Sequence, residues 1–356
     1  MTDQPLTILA GKTAVERLKT SGWQPELFDT LVGASGGAKL LGLTHLDRFL
    51  FGDYLQRSDH PMELYGSSIG SWRHAALAAP DPAAAIVTLQ ERYLNQAWDE
   101  NDSRHPSQVI DELCHWVLEG ICDEKAVAHL ARHPRFVTHI VTARGLGLNG
   151  KPRSGALGLG LGLSAVGNLA SRQLLALGFQ RVVFSSGGSV AFRFDDFSNQ
   201  HVALTPEAVK PALLASGSIP FLMPGQVNVP GGPLGHYWDG GVIDYHFDFR
   251  NHTGSGLVLY PHFTDKVIKG WFDKKLPWRV NAPALLDNVV ILAPSRTYLA
   301  QLPHGKIPDR NDFAHMPSKD RVVYWQKAMD MSEQLADGFR QAIDADDPMQ
   351  YVTPLG

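Results

Sequence analysis

The sequence predicts an α/β protein in which helices cover a mainly parallel sheet. Two short apolar runs, residues 28–32 and 62–65, each enter a glycine-containing turn and are followed by a segment with apolar residues at helical spacing. Strand, turn and helix repeated in this order are typical of a parallel sheet. The chain has 356 residues, of which 44% are hydrophobic and 19% charged. This composition supplies a large core and excludes a disordered or fibrous chain.

The remaining elements are predicted from local patterns along the chain. Apolar residues at helical spacing predict the first helices over residues 13–20, 38–51 and 69–79. Runs rich in β-branched and aromatic residues predict further strands, after a mainly helical region, over residues 135–142, 181–185 and 256–260. Residues 318–343 have one apolar face, so we predict a single long amphipathic helix with Ser318 as its N-cap.

Charge and cysteine content narrow the classes of partner and compartment. The net charge of −4 excludes a protein that coats nucleic acid, which would need a basic surface. A helix over residues 110–119 would separate Cys114 from Cys122 by about 12 Å along its axis. That separation favours free thiols over a disulfide. Because the N-terminus also lacks the pattern of a signal peptide, we predict a cytoplasmic protein with no nucleic-acid partner.

One uncharged stretch, residues 154–171, approaches the length of about 18 residues expected of a membrane-spanning helix. It contains five glycines, and each glycine weakens a helix by about 1 kcal/mol relative to alanine. We therefore expect a mobile apolar surface element or a buried segment, and not a spanning helix.

Two segments, residues 33–37 and 66–70, match the pattern G-x-S-x-G. This pattern presents a nucleophilic serine on a sharp turn between a strand and the N-terminus of a helix. The second segment has the clearer strand and helix around it, whereas the first has adjacent glycines whose N–H groups can face an anion. We therefore predict Ser68 as the nucleophile and Gly36 and Gly37 as the oxyanion hole. The alternative is that both are ordinary glycine-rich turns.

An aspartate followed by two glycines, in residues 238–241, completes a set of four motifs. In isolation such a sequence is a turn, but here it follows an A-S-x-x-x-P segment at residues 215–220. The order is a glycine-rich loop, G-x-S-x-G, A-S-x-x-x-P and Asp-Gly-Gly. In these motifs the chain resembles the patatin-like phospholipase family, and the motifs span residues 33–241.

The resemblance implies a three-layer α/β/α fold and a lipid acyl hydrolase that uses a Ser-Asp dyad and needs no metal or cofactor. Ser68 matches the nucleophile and Asp239 the base, which can take the serine proton directly if it is held within about 3 Å. The other residues that it implies at the site are the oxyanion-loop residues Gly36, Gly37 and Ala38 and the supporting residues Lys39, Gly66, Gly70 and Gly240.

Three positions of the oxyanion loop depart from the family's pattern. Lys39 stands where arginine is usual, and Ser35 and Leu40 stand where glycines are usual. These changes define the alternative class for this chain. It is a lipid-binding or regulatory protein on the same fold whose oxyanion hole is disabled.

A Ser-Asp-His triad is the competing catalytic layout. His262 is its best candidate, and His236 and His246 lie close to the aspartate in sequence. Two further histidines, His129 and His133, are four residues apart but lack the glutamate of a zinc-binding motif. We interpret that pair as one face of a helix.

Two segments indicate the substrate class. Residues 266–279 interleave five basic residues with tryptophan and phenylalanine, a composition that suits a membrane interface or an anionic headgroup. The alternative for this segment is a solvated loop beside core aromatics. Together with the apolar residues 155–166 and the resemblance, it predicts a lipid ester substrate and peripheral membrane contact.

The spread of the motifs also bears on domain organisation. Elements that build one site must fold as one unit, although the length alone would favour two domains. We therefore predict a single hydrolase domain over residues 1–356. Its motif core covers residues 28–245, and residues 246–356 form a C-terminal extension that packs on the core.

Overall fold

Eleven strands join in one sheet in the computed structural model, which describes residues 4–98, 103–152, 154–188, 191–194, 196 and 198–355. In chain order the strands are β1 (Leu6–Ala10), β2 (Phe28–Gly33), β3 (Met62–Ser67), β4 (Phe136–Gly145), β5 (Phe179–Ser185), β6 (Asn199–Ala203), β7 (Gln226–Val227), β8 (His236–Asp239), β9 (Leu257–Pro261), β10 (Val289–Pro294) and β11 (Val352–Pro354). Their order across the sheet is β11-β1-β10-β9-β2-β3-β4-β5-β6, with β8 paired to β4 and β7 paired to β8.

The centre of the sheet is parallel. Strands β10, β9, β2, β3 and β4 run in the same direction, whereas β1 pairs antiparallel with β10 and β5 pairs antiparallel with β4. Every residue of β3, β9 and β10 is buried, as expected for parallel strands covered on both faces. The predicted α/β fold with a mainly parallel central sheet between helical layers is confirmed.

Twelve α-helices flank the sheet within the described ranges. They are α1 (Lys12–Ser21), α2 (Thr44–Gly52), α3 (Ile69–Leu77), α4 (Pro82–Leu94), α5 (Pro106–Glu119), α6 (Glu124–Leu130), α7 (Ser154–Ala170), α8 (Pro206–Gly217), α9 (Arg296–Gln301), α10 (Asp312–His315), α11 (Ser318–Met331) and α12 (Glu333–Ile343). The helix predicted over residues 38–51 is divided, because Gly37–Leu43 forms a 3-10 helix before α2 begins.

The prediction of one closing helix over residues 318–343 was wrong. Helix α11 ends at Met331, α12 begins at Glu333, and Ser318 is the first helical residue of α11, not its cap. The buried Ser332 lies at the break, where its hydroxyl donates to the Met329 carbonyl oxygen and accepts from the His45 N–H of α2. A serine hydroxyl that bonds to backbone groups in this way competes with continuation of the helix.

The uncharged stretch at residues 154–171 forms helix α7 in spite of its glycines. Leu157 and Leu161 are buried, and a Cβ atom at Gly160 would lie 2.3 Å from the Asn149 side-chain oxygen. The glycine at this position therefore lets the helix pack closely against the segment that contains Asn149. Of the helices in the described ranges, none combines the length and the apolar character needed to cross a membrane.

Cys114 lies within α5, and Cys122 lies between α5 and α6. Cys114 and Cys122 are free thiols. Burial raises the pKa of both to about 12, so the protonated form is stable at neutral pH.

Candidate active site

The predicted nucleophile lies in a strained turn between β3 and α3. Ser68 has φ 55° and ψ −130°, a conformation that non-glycine residues rarely adopt and that functional sites retain at a cost. The flanking glycines permit the turn. A Cβ atom at Gly66 would lie 2.4 Å from Ser71 Cα, and one at Gly70 would lie 2.0 Å from the Gly33 carbonyl oxygen. The geometry is that of a nucleophile elbow.

The structure brings Ser68 and Asp239 into direct contact. The Ser68 hydroxyl donates a hydrogen bond of 2.7 Å to Oδ2 of Asp239, the last residue of β8. The other carboxylate oxygen accepts the Gly241 N–H at 2.7 Å, within the short 3-10 turn that starts at Gly240. Ser68 and Asp239 are only 5% and 6% exposed, so the pair is largely shielded from bulk water.

The environment of Asp239 suits a base that works near neutral pH. Burial raises the pKa of its carboxyl to about 6, against the hydrogen bonds from Ser68 and Gly241 and the positive charges of Lys274 and Arg310. Such a group is ionised at pH 7 but holds a proton more readily than an ordinary aspartate.

The glycine-rich loop lies at the same cavity as Ser68 and Asp239, and Gly36 and Gly37 help to line that cavity. Gly37 has φ 57° and starts the 3-10 helix, with the fully buried Ala38 as its second residue. The first N–H groups of a helix have no acceptor in a preceding turn and carry its positive dipole end. The loop therefore offers amide donors to an anion beside Ser68.

Of the three residues that depart from the family's loop, Leu40 is buried in the core, and the other two lie at the cavity. The Ser35 hydroxyl donates to Ser67 Oγ at 3.0 Å, and its N–H donates to the Tyr245 carbonyl oxygen at 2.9 Å. Lys39 also lines the cavity, with its ammonium 4.4 Å from the centre of the Phe263 ring. Burial lowers the pKa of Lys39.

Ser216 is a site residue that the sequence analysis did not single out. Its hydroxyl accepts the Ser68 N–H at 2.8 Å and donates to the Val141 carbonyl oxygen of β4 at 2.7 Å. It therefore connects the elbow to the sheet. The serine of the A-S-x-x-x-P segment was the available signal, but its partner is a backbone amide that no motif identifies.

Two cavities meet at the nucleophile. One, which we call the polar cavity, has a volume of about 210 Å³ and a lining of mixed polarity with five charged residues: Lys39, Asp239, Lys274, Asp309 and Arg310. The other, of about 270 Å³, is mainly apolar and is lined by residues that include Trp72, Tyr93, Ile110, Leu113, Leu222 and Met223. The residues common to both are Gly37, Ser68, Ile219 and Arg310. A reacting group at Ser68 would thus have polar surroundings on one side and apolar surroundings on the other.

The histidines proposed for a triad have other partners. His262 Nδ1 lies 2.7 Å from the Thr264 carbonyl oxygen, burial lowers the pKa of the ring to about 3, and its ring contacts that of His246 at 4.2 Å. His236 Nε2 lies 2.8 Å from the Pro224 carbonyl oxygen. A triad needs an imidazole between serine and aspartate, but in the described part of the chain Ser68 bonds to the aspartate directly.

The predicted helix-face pair, His129 and His133, lies at the end of α6 and just beyond it, with ring centres 4.7 Å apart. Across the described ranges, the side chains of histidine, cysteine, aspartate and glutamate form no group of three or more that could hold a metal ion.

The basic and aromatic segment at residues 266–279 is divided between two environments. Trp271 and Lys274 line the polar cavity. By contrast, the Lys269 ammonium lies 3.3 Å from the Asp248 carboxylate, and Arg279 donates to the Asn168 carbonyl oxygen at 2.9 Å. The segment is therefore not one uniform basic surface.

A comparison with protein families agrees with the motif order. The family model described as patatin-like phospholipase matches residues 25–246, which is more than half of the chain. The sequence has no significant match among curated proteins or among solved structures. The matched region contains the glycine-rich loop, both G-x-S-x-G segments and the Asp-Gly-Gly turn. The chain therefore belongs to the patatin-like phospholipase family, a family of lipid acyl hydrolases.

Proposed function

We propose that this protein hydrolyses a carboxylic ester of a lipid through a covalent acyl-enzyme on Ser68, with Asp239 as general base. The observation that carries the proposal is the 2.7 Å hydrogen bond from the Ser68 hydroxyl to the Asp239 carboxylate. A serine hydroxyl is a weak nucleophile until a base takes its proton, and this base is already in hydrogen-bond contact.

The reaction proceeds in two balanced steps. Ser68 Oγ attacks the ester carbonyl carbon, its proton passes to Asp239, and that proton is then given to the alcohol as the ester C–O bond breaks. Water next gives a proton to Asp239 and attacks the acyl-enzyme. The acid is released, and the proton returns to Ser68 Oγ. No proton or electron is left over, and no co-reactant besides water is needed.

The oxyanion of each tetrahedral intermediate would be held by N–H groups of the loop at Gly36, Gly37 and Ala38. The start of the 3-10 helix at Gly37 and the shared cavity wall support this role. Removal of one such donor typically costs about 3 kcal/mol of transition-state stabilisation. Lys39 follows these residues and adds a positive charge to the same cavity wall.

The mainly apolar cavity is the proposed acyl site. It starts at Ser68 and continues along Trp72, Ile110, Leu113 and Met223. Burial of a hydrocarbon chain there is favoured by about 0.8 kcal/mol per CH₂ group. The cavity therefore favours an acyl chain over a small acetyl group, in agreement with a lipid substrate.

We also propose that a lipid bilayer contacts the outer face of α7. Leu159, Leu163 and Val166 are 58%, 59% and 66% exposed and lie on one face of this uncharged helix. A Cβ atom at Gly158 would lie 3.7 Å from the Phe221 ring, and the next residue, Leu222, lines the apolar cavity. The exposed Phe221 and Leu222 therefore link α7 to the lining of the apolar cavity, and we propose that lipid from a bilayer enters the cavity at this place.

Flotation with phospholipid vesicles tests the bilayer contact. Leu159→Ser should reduce the vesicle-bound fraction, because it removes apolar area from the contact face. Val323→Ser on α11 is the matched control, since Val323 is 66% exposed but belongs to another surface. Equal binding by both variants would rule out α7 as the contact face.

Release of fatty acid from phospholipid, lysophospholipid and triacylglycerol tests the proposed activity. The wild-type protein should release acid from at least one of these lipid classes, and Ser68→Ala should release none above background. Ser35→Ala should retain activity, because Ser35 bonds to Ser67 and not to the base. Release by Ser68→Ala would refute the assignment of the nucleophile. If the wild-type protein releases no acid, the lipid-binding alternative becomes the better account.

A further inference from the structure

Three cationic side chains, those of Lys39, Lys274 and Arg310, line the polar cavity beside Ser68. Each lies against an aromatic ring. In the same order, the rings and their distances from the charged group are Phe263 (4.4 Å), Tyr245 (3.7 Å) and Trp271 (5.9 Å). A cation–π contact positions a cation without neutralising its charge.

The three cations of this cluster outnumber the two acids that line the same cavity. In the part of the chain that the structure describes, no ion pair joins Lys39, Lys274 or Arg310 to a carboxylate. The acids that line the cavity are Asp239, which accepts the Ser68 hydroxyl, and Asp309, which accepts Lys306 at 2.8 Å. Like charges held close together in a partly dehydrated cleft repel one another and attract an anion.

The repulsion between these cations also affects the pKa of Lys274. Although the Lys274 side chain is exposed overall, its ammonium lies against the Tyr245 ring. Loss of hydration lowers its pKa to about 7, and repulsion from Arg310 and Lys39 acts in the same direction. An anion bound among the three groups would relieve the repulsion.

The position of the cluster indicates which part of the substrate it would contact. An ester carbonyl at Ser68 has the acyl chain on one side and the alcohol on the other. If the acyl chain occupies the apolar cavity, the alcohol extends into the cavity lined by the three cations. The anionic group would then belong to the leaving alcohol.

We propose that Lys39, Lys274 and Arg310 bind a phosphate on the leaving alcohol, so that the preferred substrates are acyl esters of a phosphorylated polyol with a net negative headgroup. This inference rests on the proposed ester hydrolysis and names its substrate class. Neutral acylglycerols would not complement the charge, and the quaternary ammonium of a choline headgroup would be repelled. Two of the three cations, Lys274 and Arg310, lie outside the family match at residues 25–246, so this preference belongs to this chain's own C-terminal region.

A substrate comparison tests the preference. The probes are 1-oleoylglycerol 3-phosphate, 1-oleoylglycerol 3-phosphocholine and 1-oleoylglycerol, which share one acyl chain. The wild-type kcat/KM should be about tenfold or more higher for the phosphomonoester than for the other two, as expected from charge-assisted hydrogen bonds. Equal values for the three lipids would overturn the proposal.

Variants then assign the preference to the cluster. Lys274→Met and Arg310→Met should each lower the ratio of kcat/KM for phosphomonoester over monoacylglycerol about tenfold. Lys274→Arg should retain most of the ratio, because it keeps the charge. Lys319→Met, at an exposed lysine on α11 that does not line the cavity, is the matched control and should leave both rates unchanged. An unchanged ratio in both methionine variants would refute the site.

A binding experiment separates failure of this inference from failure of the proposed activity. Ser68→Ala should bind the oleoylglycerol phosphate about tenfold more tightly than oleoylglycerol in calorimetry, and Lys274→Met in that background should abolish the difference. This result would support the phosphate site even if the wild-type protein hydrolysed no ester. Equal binding of the two lipids would overturn it whatever the turnover. Inorganic phosphate should bind more weakly than the lipid, and equal affinity would indicate a site for free phosphate only.

Discussion

The two walls of the active-site cleft have different origins. The proposed dyad and the proposed oxyanion loop come from the region that matches the family, residues 25–246, where short motifs mark each part. The facing wall contains Trp271, Lys274 and Arg310, which follow that region and carry no motif. Bond-breaking groups need fixed local geometry and therefore leave a sequence signature. Groups that select a headgroup need only charge at the right place, which many sequences can supply.

The largest expected effect lies on the motif-bearing wall. Asp239→Asn should lower kcat about 10³-fold, because an amide cannot take the Ser68 proton and general-base catalysis of this kind contributes about 10²- to 10⁴-fold. Steady-state release of fatty acid measures it. Asp287→Asn, at an exposed aspartate away from the cavity, should behave as wild type. A loss below tenfold in Asp239→Asn would mean that another base serves Ser68.

The next effect concerns the oxyanion loop. Gly37→Ala should lower kcat about 100-fold, because a side chain at φ 57° is strained and relaxation of the loop would move its amides. Gly147→Ala is matched to it, since Gly147 has φ 55° and open space around it but lies outside the cavity. The two variants should lose similar stability in thermal melts. If their kcat values also agree, the loop at Gly37 is not the oxyanion hole.

A smaller effect is expected at the support of the elbow. Ser216→Ala removes the acceptor of the Ser68 N–H and should lower kcat about tenfold, since a buried amide loses its partner and the nucleophile shifts. Ser218→Ala removes a hydroxyl that donates to the Leu214 carbonyl oxygen at 2.8 Å and does not touch Ser68. Its kcat should remain within twofold of wild type. An equal loss of kcat in both variants would indicate a general effect of removing a hydroxyl near β8, and not a specific role of Ser216.

The smallest predicted effect is a shift in the pH dependence of kcat/KM when a residue of the second wall is changed. Since burial raises the pKa of Asp239 to about 6, kcat/KM for a neutral ester should rise with pH through about 6 as the base ionises. The positive charge of Arg310 favours the ionised carboxylate, so Arg310→Met should move this acid limb to higher pH. Lys319→Met should not move it. If the acid limb of the pH profile lies at the same pH in Arg310→Met as in the wild type, the charge of Arg310 does not affect the pKa of Asp239.

Sequence alone predicted the motif-bearing wall because each motif encodes its own geometry. Ser68 and Asp239 were predicted as partners from G-x-S-x-G and Asp-Gly-Gly, and the structure brings the two side chains into contact although 171 positions separate them. Helix α7 was harder to predict from the sequence, because glycines that weaken an isolated helix allow close packing in the fold. The break at Ser332 was missed for a related reason, because its hydrogen bond to α2 is a tertiary contact.

The second wall was predicted only in part. The composition of residues 266–279 indicated an anionic headgroup, but which of their side chains line the cavity, and that Arg310 joins them, depends on strand order. Strand β9 pairs with β2, so the chain that leaves β9 emerges at the same edge of the sheet as the oxyanion loop. The carboxyl ends of parallel strands share one edge, where ligand sites of such sheets form. Lys274 follows β9 and in this way lines the same cavity as the loop. Nothing in the local sequence of residues 266–279 distinguishes Lys274 from the neighbouring lysines.

Covalent labelling with a fluorophosphonate probe tests the central claim most directly. The probe reacts with an activated serine, and mass spectrometry of the labelled peptide locates the modified residue. We predict that the label is on Ser68, that Ser35→Ala is labelled like wild type and that Ser68→Ala is not labelled. A label on Ser35, or labelling of Ser68→Ala at the wild-type rate, would contradict the assignment of Ser68 as the nucleophile.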